Sequence, residues 1–331
     1  MSHALSSRST GTEILGQGGN ALDASMFYVG KDKPWHGLGV SVDHCLTSSE
    51  ALIAAGMSWE VKTGPVFDAD MKEIKNYRRT YRDDNGNTLG IVGNRYTVIQ
   101  NKEGFEIMDS MIGAGANFDT AGVLFNGETV WINALMPDSM KIAGDEILCY
   151  FLLKNSHDGR GSLIVKRTPI RTVCQNTLNM AIGNPQSKSD SRSQKIKHTR
   201  NYDVRVREAA TVMQLNADYY KQFEIKANEL VATPFSKAEF TTLIETLYPT
   251  PEDGSKRALT ISENEREKMV QAYNADDLNN IRFTKWGALN AIADYSDHMR
   301  TLRGDNKEAN AFIRTFEATE LKDRALELLT L

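Results

Sequence analysis

The chain has 331 residues, of which 40% are hydrophobic and 25% charged, and its formal net charge is −4. This composition is typical of a folded protein with a substantial core, and it excludes collagen-like and largely disordered chains. The three cysteines are an odd number without CxxC spacing, which favours a reducing, cytoplasmic compartment over a disulfide framework.

The N-terminal third is predicted to contain a flexible arm followed by mixed elements. Residues 1–30 lack the apolar core of a signal peptide and are interpreted as the arm. The sequence SSEALIAAG predicts a helix at 48–56, because serines cap its start and glycine ends it. Further elements are expected as strands at 59–67, 75–82 and 88–93 and a helix at 102–112. DDNGN joins the last two strands and predicts a hairpin, since Asn-Gly readily adopts positive φ.

The middle of the chain is predicted to form four close strands. They are expected at 117–125, 129–135, 146–154 and 162–168. Asn126-Gly127 and Asp158-Gly159 mark turns between them. The longest apolar run, residues 147–153, is far too short to span a bilayer and is interpreted as a buried strand, so no membrane partner is expected. Thr168-Pro169 then predicts the start of a helix that runs to about residue 182.

The remainder is predicted to be helical, which makes the fold class α+β: an antiparallel sheet built from hairpins with flanking helices, followed by a helical C-terminal region. Helices are expected at 202–230, 236–247, 263–275, 284–301 and 307–329. The predicted organisation is an arm at 1–30, a core domain at 31–183, a basic linker at 184–200 and the helical region at 201–331.

Residues 160–207 form a basic segment in an otherwise acidic chain. They contain 11 Lys and Arg but only 2 Asp and Glu. An anionic partner explains such a segregation of charge. The alternative is a solvated basic surface that pairs with the acidic C-terminal region.

The basic segment supplies the candidate nucleic-acid-binding residues. They are Arg160, Lys166, Arg167, Arg171, Lys195, Lys197, Arg200, Tyr202, Arg205 and Arg207. If the later part is helical, Lys195, His198, Tyr202 and Arg205 share one face, with Arg171 in the first turn of the helix before it. Cations interleaved with an aromatic suit a groove that follows a phosphate backbone. No helix-turn-helix or zinc-finger pattern indicates sequence-specific duplex recognition.

Two other motifs have a functional and a structural interpretation. In PWHGLG (34–39), Trp35 and His36 could stack on bases or contact another subunit, or Trp35 could anchor the loop. In NSHDG (155–159), His157 and Asp158 could serve metal or acid–base chemistry, but a hairpin turn is favoured. The histidines and cysteines lack metal-ligand spacing, no catalytic residue is assigned, and no cofactor is expected.

Several stretches together resemble a known family. They are PWHGLG (34–39), RDDNGNTLGIVGNRYTVIQN (82–101), TAGVLFNGETVWINALMP (120–137), NSHDGRGSLIVKRTPIRTVCQNTLN (155–179), KIKHTRNYDVRVREA (195–209) and TKWGALNAIADYSDH (284–298). On these the chain is identified as a member of the phage/plasmid-like protein family known as domain of unknown function nine-three-two. The resemblance implies a phage or mobile-element origin and the cytoplasm of a bacterial host.

The order of helix, two hairpins and a further helix also resembles the eukaryotic-type single-strand annealing proteins. That resemblance is topological and rests on no shared diagnostic motif. It implies an oligomer, possibly a ring, that binds single-stranded DNA and promotes annealing without ATP, with Lys166, Arg167 and Arg171 in a groove. The alternatives are a metal-dependent hydrolase or nuclease using His157, Asp158 and distant carboxylates such as Asp119 or Asp145, and a phage-borne protein that binds a host factor.

Overall fold

The computed structural model describes residues 26–29, 40–42, 44, 46–112, 117–171, 176–178, 193–215, 219–251, 254–301, 315 and 320–331. The chain divides into two units. The first unit comprises Met1–Met136, Tyr150–Arg167 and Ser189–Ala217. The second unit comprises Pro137–Cys149, Thr168–Lys188 and Asp218–Leu331. The predicted domain boundaries stay a prediction, although residues 193–196 of the predicted basic linker form a strand.

A larger sheet begins with two short strands, β1 (Met26–Val29) and β2 (Val40–Val42), which pair in parallel. Helix α1 (Ser48–Ala54) follows, and Glu50 accepts a 3.0 Å hydrogen bond from the Thr47 backbone N–H at its start. This contact satisfies one of the amide groups that the first helical turn leaves unpaired.

A three-stranded antiparallel sheet comes next in the first unit. Its strands are β3 (Val61–Phe67), β4 (Glu73–Arg82) and β5 (Thr88–Gly93). The predicted DDNGN hairpin joins β4 to β5, and Gly86 at the turn has φ of 73°. Arg82 is buried at the turn, where its guanidinium donates to both carboxylate oxygens of Asp84 and lies over the Trp59 ring. Helix α2 (Asn101–Ile112) then adds Phe105 and Met108 to the hydrophobic core.

The two predicted hairpins are confirmed in the larger sheet. Its further strands are β6 (Asn117–Leu124), β7 (Thr129–Ile142), β8 (Asp145–Ser156), β9 (Leu163–Arg171), β10 (Asn176–Thr177) and β11 (Ser193–Ile196). The order is β10-β9-β8-β7-β6-β1-β2, and β11 also pairs with β9. Asn126 lies at the first turn with φ of 57°, and Gly159 lies at the second with φ of 80°. The apolar run predicted as a buried strand is the centre of β8.

The predicted helix after Thr168-Pro169 is wrong where the structure describes it. Thr168, Pro169 and Arg171 continue strand β9, and β10 follows at Asn176–Thr177. The pairing of Arg171 with Asn176, and a 2.8 Å hydrogen bond from Leu178 N–H to the Pro169 carbonyl, hold this stretch extended. Tertiary pairing therefore overrides the local capping signal of Thr-Pro.

Helices dominate the rest of the chain. They are α3 (Tyr202–Leu215), α4 (Tyr219–Ala232), α5 (Lys237–Leu247), α6 (Lys256–Tyr273), α7 (Lys285–Asp294) and α8 (Glu320–Thr330). In the second unit, every residue of α7 from Trp286 to Ala293 is buried. A helix that is buried on all sides is the centre of its core. The fold class, α+β with a helical C-terminal region, is confirmed.

Candidate functional site

A cleft of about 1460 Å³ lies in the first unit, between three stretches of chain. The first stretch combines Asn76 and Tyr77 of β4 with residues 93–97, which begin at the last residue of β5. The second is the β8–β9 loop at 159–162, and the third is residues 197–201 between β11 and α3. Stretches that are far apart in sequence therefore meet at one surface.

The cleft is positively charged. Four exposed cations line it: Arg95, Arg160, Lys197 and Arg200. No Asp or Glu is among its described lining residues. Among the residues that the structure describes, one salt bridge involves these cations, and it is a 3.9 Å contact between Arg160 and Asp158. A surface with cations and no lining carboxylate attracts anions.

Hydrogen bonds hold the β8–β9 loop in one shape. The Asp158 carboxylate accepts from the Ser156 hydroxyl at 2.5 Å and from the Arg160 backbone N–H at 2.8 Å. The Tyr96 hydroxyl donates to the Ser156 carbonyl at 2.9 Å. Burial raises the pKa of Tyr96, so this hydroxyl keeps its proton. The loop thus presents Arg160 from a fixed backbone.

His157 anchors this loop in the core. Its ring is fully buried, and Nε2 lies 2.9 Å from the Asn101 side-chain oxygen. Asn101 uses its amide nitrogen for the Met57 and Trp59 carbonyls, so its oxygen is the acceptor and His157 Nε2 carries the proton. Burial lowers the pKa of His157 to about 3, which keeps the ring neutral. The favoured interpretation of NSHDG as a hairpin turn agrees with this geometry.

Strand β5 packs closely against the β8–β9 loop at Gly90. A Cβ at Gly90 would lie 2.3 Å from the Asp158 carbonyl oxygen, so no larger residue fits without moving backbone. A Cβ at Gly159 would lie 2.7 Å from Val92 Cγ1. The glycines in TLGIVG and SHDGR thus allow the two backbones to approach closely.

His198 holds the third stretch of the cleft, residues 197–201, against the first stretch at Thr97. Thr97 N–H donates to the His198 carbonyl at 3.1 Å, and His198 Nδ1 donates to the Thr97 carbonyl at 3.1 Å. The His198 ring also stacks on Tyr96, with centroids 4.6 Å apart. Burial lowers the pKa of His198, although its hydrogen bond to Thr97 and the charge of Asp158 oppose the shift. These contacts place Lys197 and Arg200 beside Arg95.

The structure brings together only some of the predicted site residues. Arg160, Lys197 and Arg200 line the cleft. Lys166 and Arg167 are buried, with the Arg167 guanidinium 5.6 Å from the Phe151 ring centroid. The backbone of Arg171 lies in β9 and not in a helix. Trp35 and His36 lie outside the described residues.

The expected helical face of Lys195, His198, Tyr202 and Arg205 does not form. Lys195 pairs with Ile164 in β11, and α3 begins only at Tyr202. The Tyr202 hydroxyl donates to Glu103 at 2.5 Å, and burial together with this contact raises the pKa of Tyr202. On α3, Arg205 contacts Glu208 at 3.3 Å and Arg207 contacts Asp203 at 3.4 Å. Pairing of β11 with β9 replaces the helical turn that the spacing suggested.

Sequence reasoning missed Arg95 and Tyr77. Both lie far upstream of the basic segment, so the charge balance gave no sign of them. The sequence offered only a local sign of Arg95: in VGNRYT, β5 ends at the glycine, and Arg95 follows the next residue, an asparagine. Tyr77 stands on a strand whose side chains alternate between two faces, and it is 51% exposed.

The carboxylates of the hydrolase alternative are not grouped for metal binding. Burial raises the pKa of Asp119, while Asp145 accepts a 3.4 Å contact from the Asn280 amide within the second unit. Among the described residues, no group of three or more His, Cys, Asp or Glu side chains could hold a metal ion. The described helices include none with the length and apolar character needed to cross a membrane.

Comparison with known proteins assigns the family. A family model described as Domain of unknown function (DUF932) matches residues 88–316, which is more than half of the chain. That range includes all four cleft cations, Arg95, Arg160, Lys197 and Arg200. No curated protein and no solved structure matches the chain. On the family match, the chain belongs to the DUF932 family, a domain of unknown function.

Proposed function

We propose that this protein binds single-stranded DNA in the cleft and promotes strand annealing, without catalysis and without a nucleotide cofactor. One observation carries the proposal. Four exposed cations from three distant stretches of chain surround one cleft, and no carboxylate is among its described lining residues. When such cations neutralise the phosphates of a nucleic acid, the counterions condensed on it are released to solution, and this release favours binding.

The size and lining of the cleft favour a polymer over a small molecule. Its volume of about 1460 Å³ exceeds the roughly 300–1,000 Å³ of ordinary small-molecule pockets. Tyr77 lies at its edge with half of its surface exposed, and an aromatic ring next to cations can stack on an unpaired base. Bases inside a duplex are already stacked on each other, so this combination favours single strands.

The cations of the basic segment differ in whether a carboxylate pairs with them. Arg205 and Arg207 contact carboxylates of their own helix. Lys197 and Arg200 form no salt bridge among the described residues, and Arg160 has only its long contact with Asp158. The cleft cations therefore remain available to an anionic partner.

Annealing, oligomer formation and the biological setting are further parts of this proposal. Annealing requires that two strands be held extended with their bases accessible, and a homo-oligomer, possibly a ring, would present several clefts side by side. The resemblance to phage/plasmid-like proteins favours recombination in a phage or mobile element within the bacterial cytoplasm. The topological likeness to single-strand annealing proteins required a helix directly after the second hairpin, and strands β9 and β10 occupy that position, so the likeness adds no support.

Removal of the cleft charges tests the proposal. The triple variant Arg160→Ala, Lys197→Ala, Arg200→Ala should bind a labelled oligothymidylate more weakly. The slope of log affinity against log salt should flatten by about 2.1, at about 0.7 for each lost phosphate contact. Fluorescence anisotropy across a salt series measures this slope. The double variant Arg205→Ala, Arg207→Ala is the matched control, because it removes two exposed arginines of the same segment outside the cleft.

Two outcomes would contradict the proposal. No binding of single-stranded DNA by the unmutated protein would reject it, and an unchanged slope in the triple variant would remove the cleft from it. Annealing is followed separately by fluorescence transfer between complementary labelled strands without ATP. Cleavage of either strand on addition of Mg²⁺ would instead support the hydrolase alternative.

A further inference from the structure

We propose that one open face of the β3–β5 sheet binds the bases of the same DNA strand whose phosphates occupy the cleft. This stacking face consists of Tyr77, Arg79 and Tyr81 on β4. The inference rests on the proposed function and deepens it, because it assigns separate surfaces to phosphates and to bases. Both surfaces belong to the first unit.

The three side chains share one face because residues two apart on a strand point the same way. The intervening residue Thr80 is fully buried, and its hydroxyl donates to the His157 carbonyl at 2.7 Å on the opposite face. Arg82, also on the opposite face, is buried against Trp59. One face of β4 thus closes the core while the other faces solvent.

Glycines pair with Tyr77 and Arg79 of the stacking face, so the paired positions place no side chain over it. Gly93 pairs with Tyr77, and a Cβ at Gly93 would meet nothing within 4 Å. Gly64 pairs with Arg79, and a Cβ there would lie 3.3 Å from both Arg79 Nε and Tyr81 Cε1. Side chains larger than hydrogen at these two positions would occupy the space next to the rings.

Arg79 is held in a geometry that suits stacking. Its guanidinium carbon lies 4.4 Å from the Tyr81 ring centroid, and its Nη1 donates to the Thr88 hydroxyl at 3.2 Å. A guanidinium that lies over a ring on one side can stack on a base with its other side. Successive members of the face are about 6.8 Å apart along the strand. This is about twice the rise of about 3.4 Å between stacked bases, so one base fits between Tyr77 and Arg79, whereas Arg79 and Tyr81 already contact each other.

The stacking face is continuous with the cleft through Tyr77, which belongs to both. A strand whose phosphates contact Arg95 and Arg160 can therefore extend its bases over β4. The exposed side chain next to this path is the apolar Ile91, paired with Arg79. Cations beside an aromatic and apolar face complement the charge and the rings of a nucleic acid, so we commit to single-stranded DNA as the occupant.

The test compares an oligothymidylate with an abasic phosphodiester strand of the same length. The unmutated protein should bind both, the base-bearing strand more tightly and with the same salt slope. Tyr77→Ala should lower affinity for the oligothymidylate about five- to 150-fold, the range for loss of one stacked base. Its affinity for the abasic strand should not change. Tyr81→Leu should act in the same direction, while Tyr77→Phe and Tyr81→Phe should retain binding because they keep the ring.

Controls separate this inference from the proposed function. Phe283→Leu removes a ring that is 65% exposed in the second unit and should change neither affinity. A thermal melt checks each variant, and the exposed Tyr77 gives a readable result even if the half-buried Tyr81→Leu loses stability. Equal binding of both strands by the unmutated protein, or unchanged affinity of Tyr77→Ala, overturns the stacking face while the cleft proposal stands. Failure of both strands to bind rejects the proposed function itself. Capture of a protein on this face, with no preference for bases, would also overturn the inference.

Discussion

The buried ion pair of the second unit contrasts with the exposed cations of the cleft in the first unit. In the second unit, Lys322 and Asp297 are both buried and form an ion pair at 2.5 Å. In the first unit, the buried anchor His157 is neutral, whereas the cleft cations are exposed, and among the described residues their salt bridging is limited to the 3.9 Å contact of Arg160 with Asp158. Buried charges require partners, so the pair in the second unit is structural. The exposed cations of the cleft repel one another, so their grouping is unfavourable without an anionic partner. For this reason we propose that they bind an anion.

Breaking the buried ion pair should have the largest effect on stability. Lys322→Met removes the ammonium that neutralises Asp297 and should destabilise the second unit by about 3–5 kcal/mol. Amide hydrogen exchange, followed by mass spectrometry, reports the opening free energy of each unit separately. Faster exchange in α7 with unchanged exchange in β4 and β5 is expected. A loss below 1 kcal/mol would show that this pair is not structural, and the contrast between the units would weaken.

The next largest effect is expected at the support of the cleft loop. Gly90→Ala places a Cβ 2.3 Å from the Asp158 carbonyl and should cost about 3 kcal/mol by overpacking. DNA affinity should fall as well, because Arg160 moves with the loop. Gly93→Ala is the matched control for stability on the same strand, because the added Cβ meets nothing within 4 Å. Equal stabilities of these two variants would contradict the close approach.

A pH series tests whether the first unit depends on a neutral histidine. The folded pKa of His157 is about 3, below the unfolded value of about 6.5. The unfolded state therefore binds the additional proton, so the stability contributed by this group is complete above pH ~6.5. It is lost at about 1.4 kcal/mol per pH unit as the pH falls towards ~3. Urea unfolding at several pH values measures the slope, and His157→Gln should reduce it. An identical slope in that variant would assign the acid sensitivity to other groups.

The smallest effects are expected on α3. Arg205→Ala and Arg207→Ala each remove an exposed ion pair and should cost no more than about 0.5 kcal/mol. Neither should change the salt slope of DNA binding, because neither residue lines the cleft. A flattened slope in either variant would extend the binding surface onto α3. Thermal melts and the anisotropy series of the triple variant provide the comparison.

Local sequence signals predicted the hairpins well and the composite site only in part. Asn-Gly and Asp-Gly turns and the apolar run of β8 depend on neighbouring residues, so the sequence shows them directly. Thr168-Pro169 failed as a helix start because its backbone pairs with residues farther along the chain. Arg160, Lys197 and Arg200 were found by charge, and Lys166 and Arg167 were selected with them although they are buried. Arg95 was missed because it lines the cleft only where Thr97 contacts His198. These two residues are too far apart in the sequence for a local pattern to reveal the contact.

That contact also has a consequence for the order of folding. The hydrogen bond between His198 and Thr97 joins residues 101 positions apart. During synthesis, the hairpins of the first unit can leave the ribosome well before the segment that forms the third stretch of the cleft. Closing so long a loop is slow and entropically costly, and core residues Ile196 and Val206 arrive with that segment. A nascent chain therefore acquires strand β4 early and the complete cleft late, so the DNA binding that we propose should begin only when the first unit is finished.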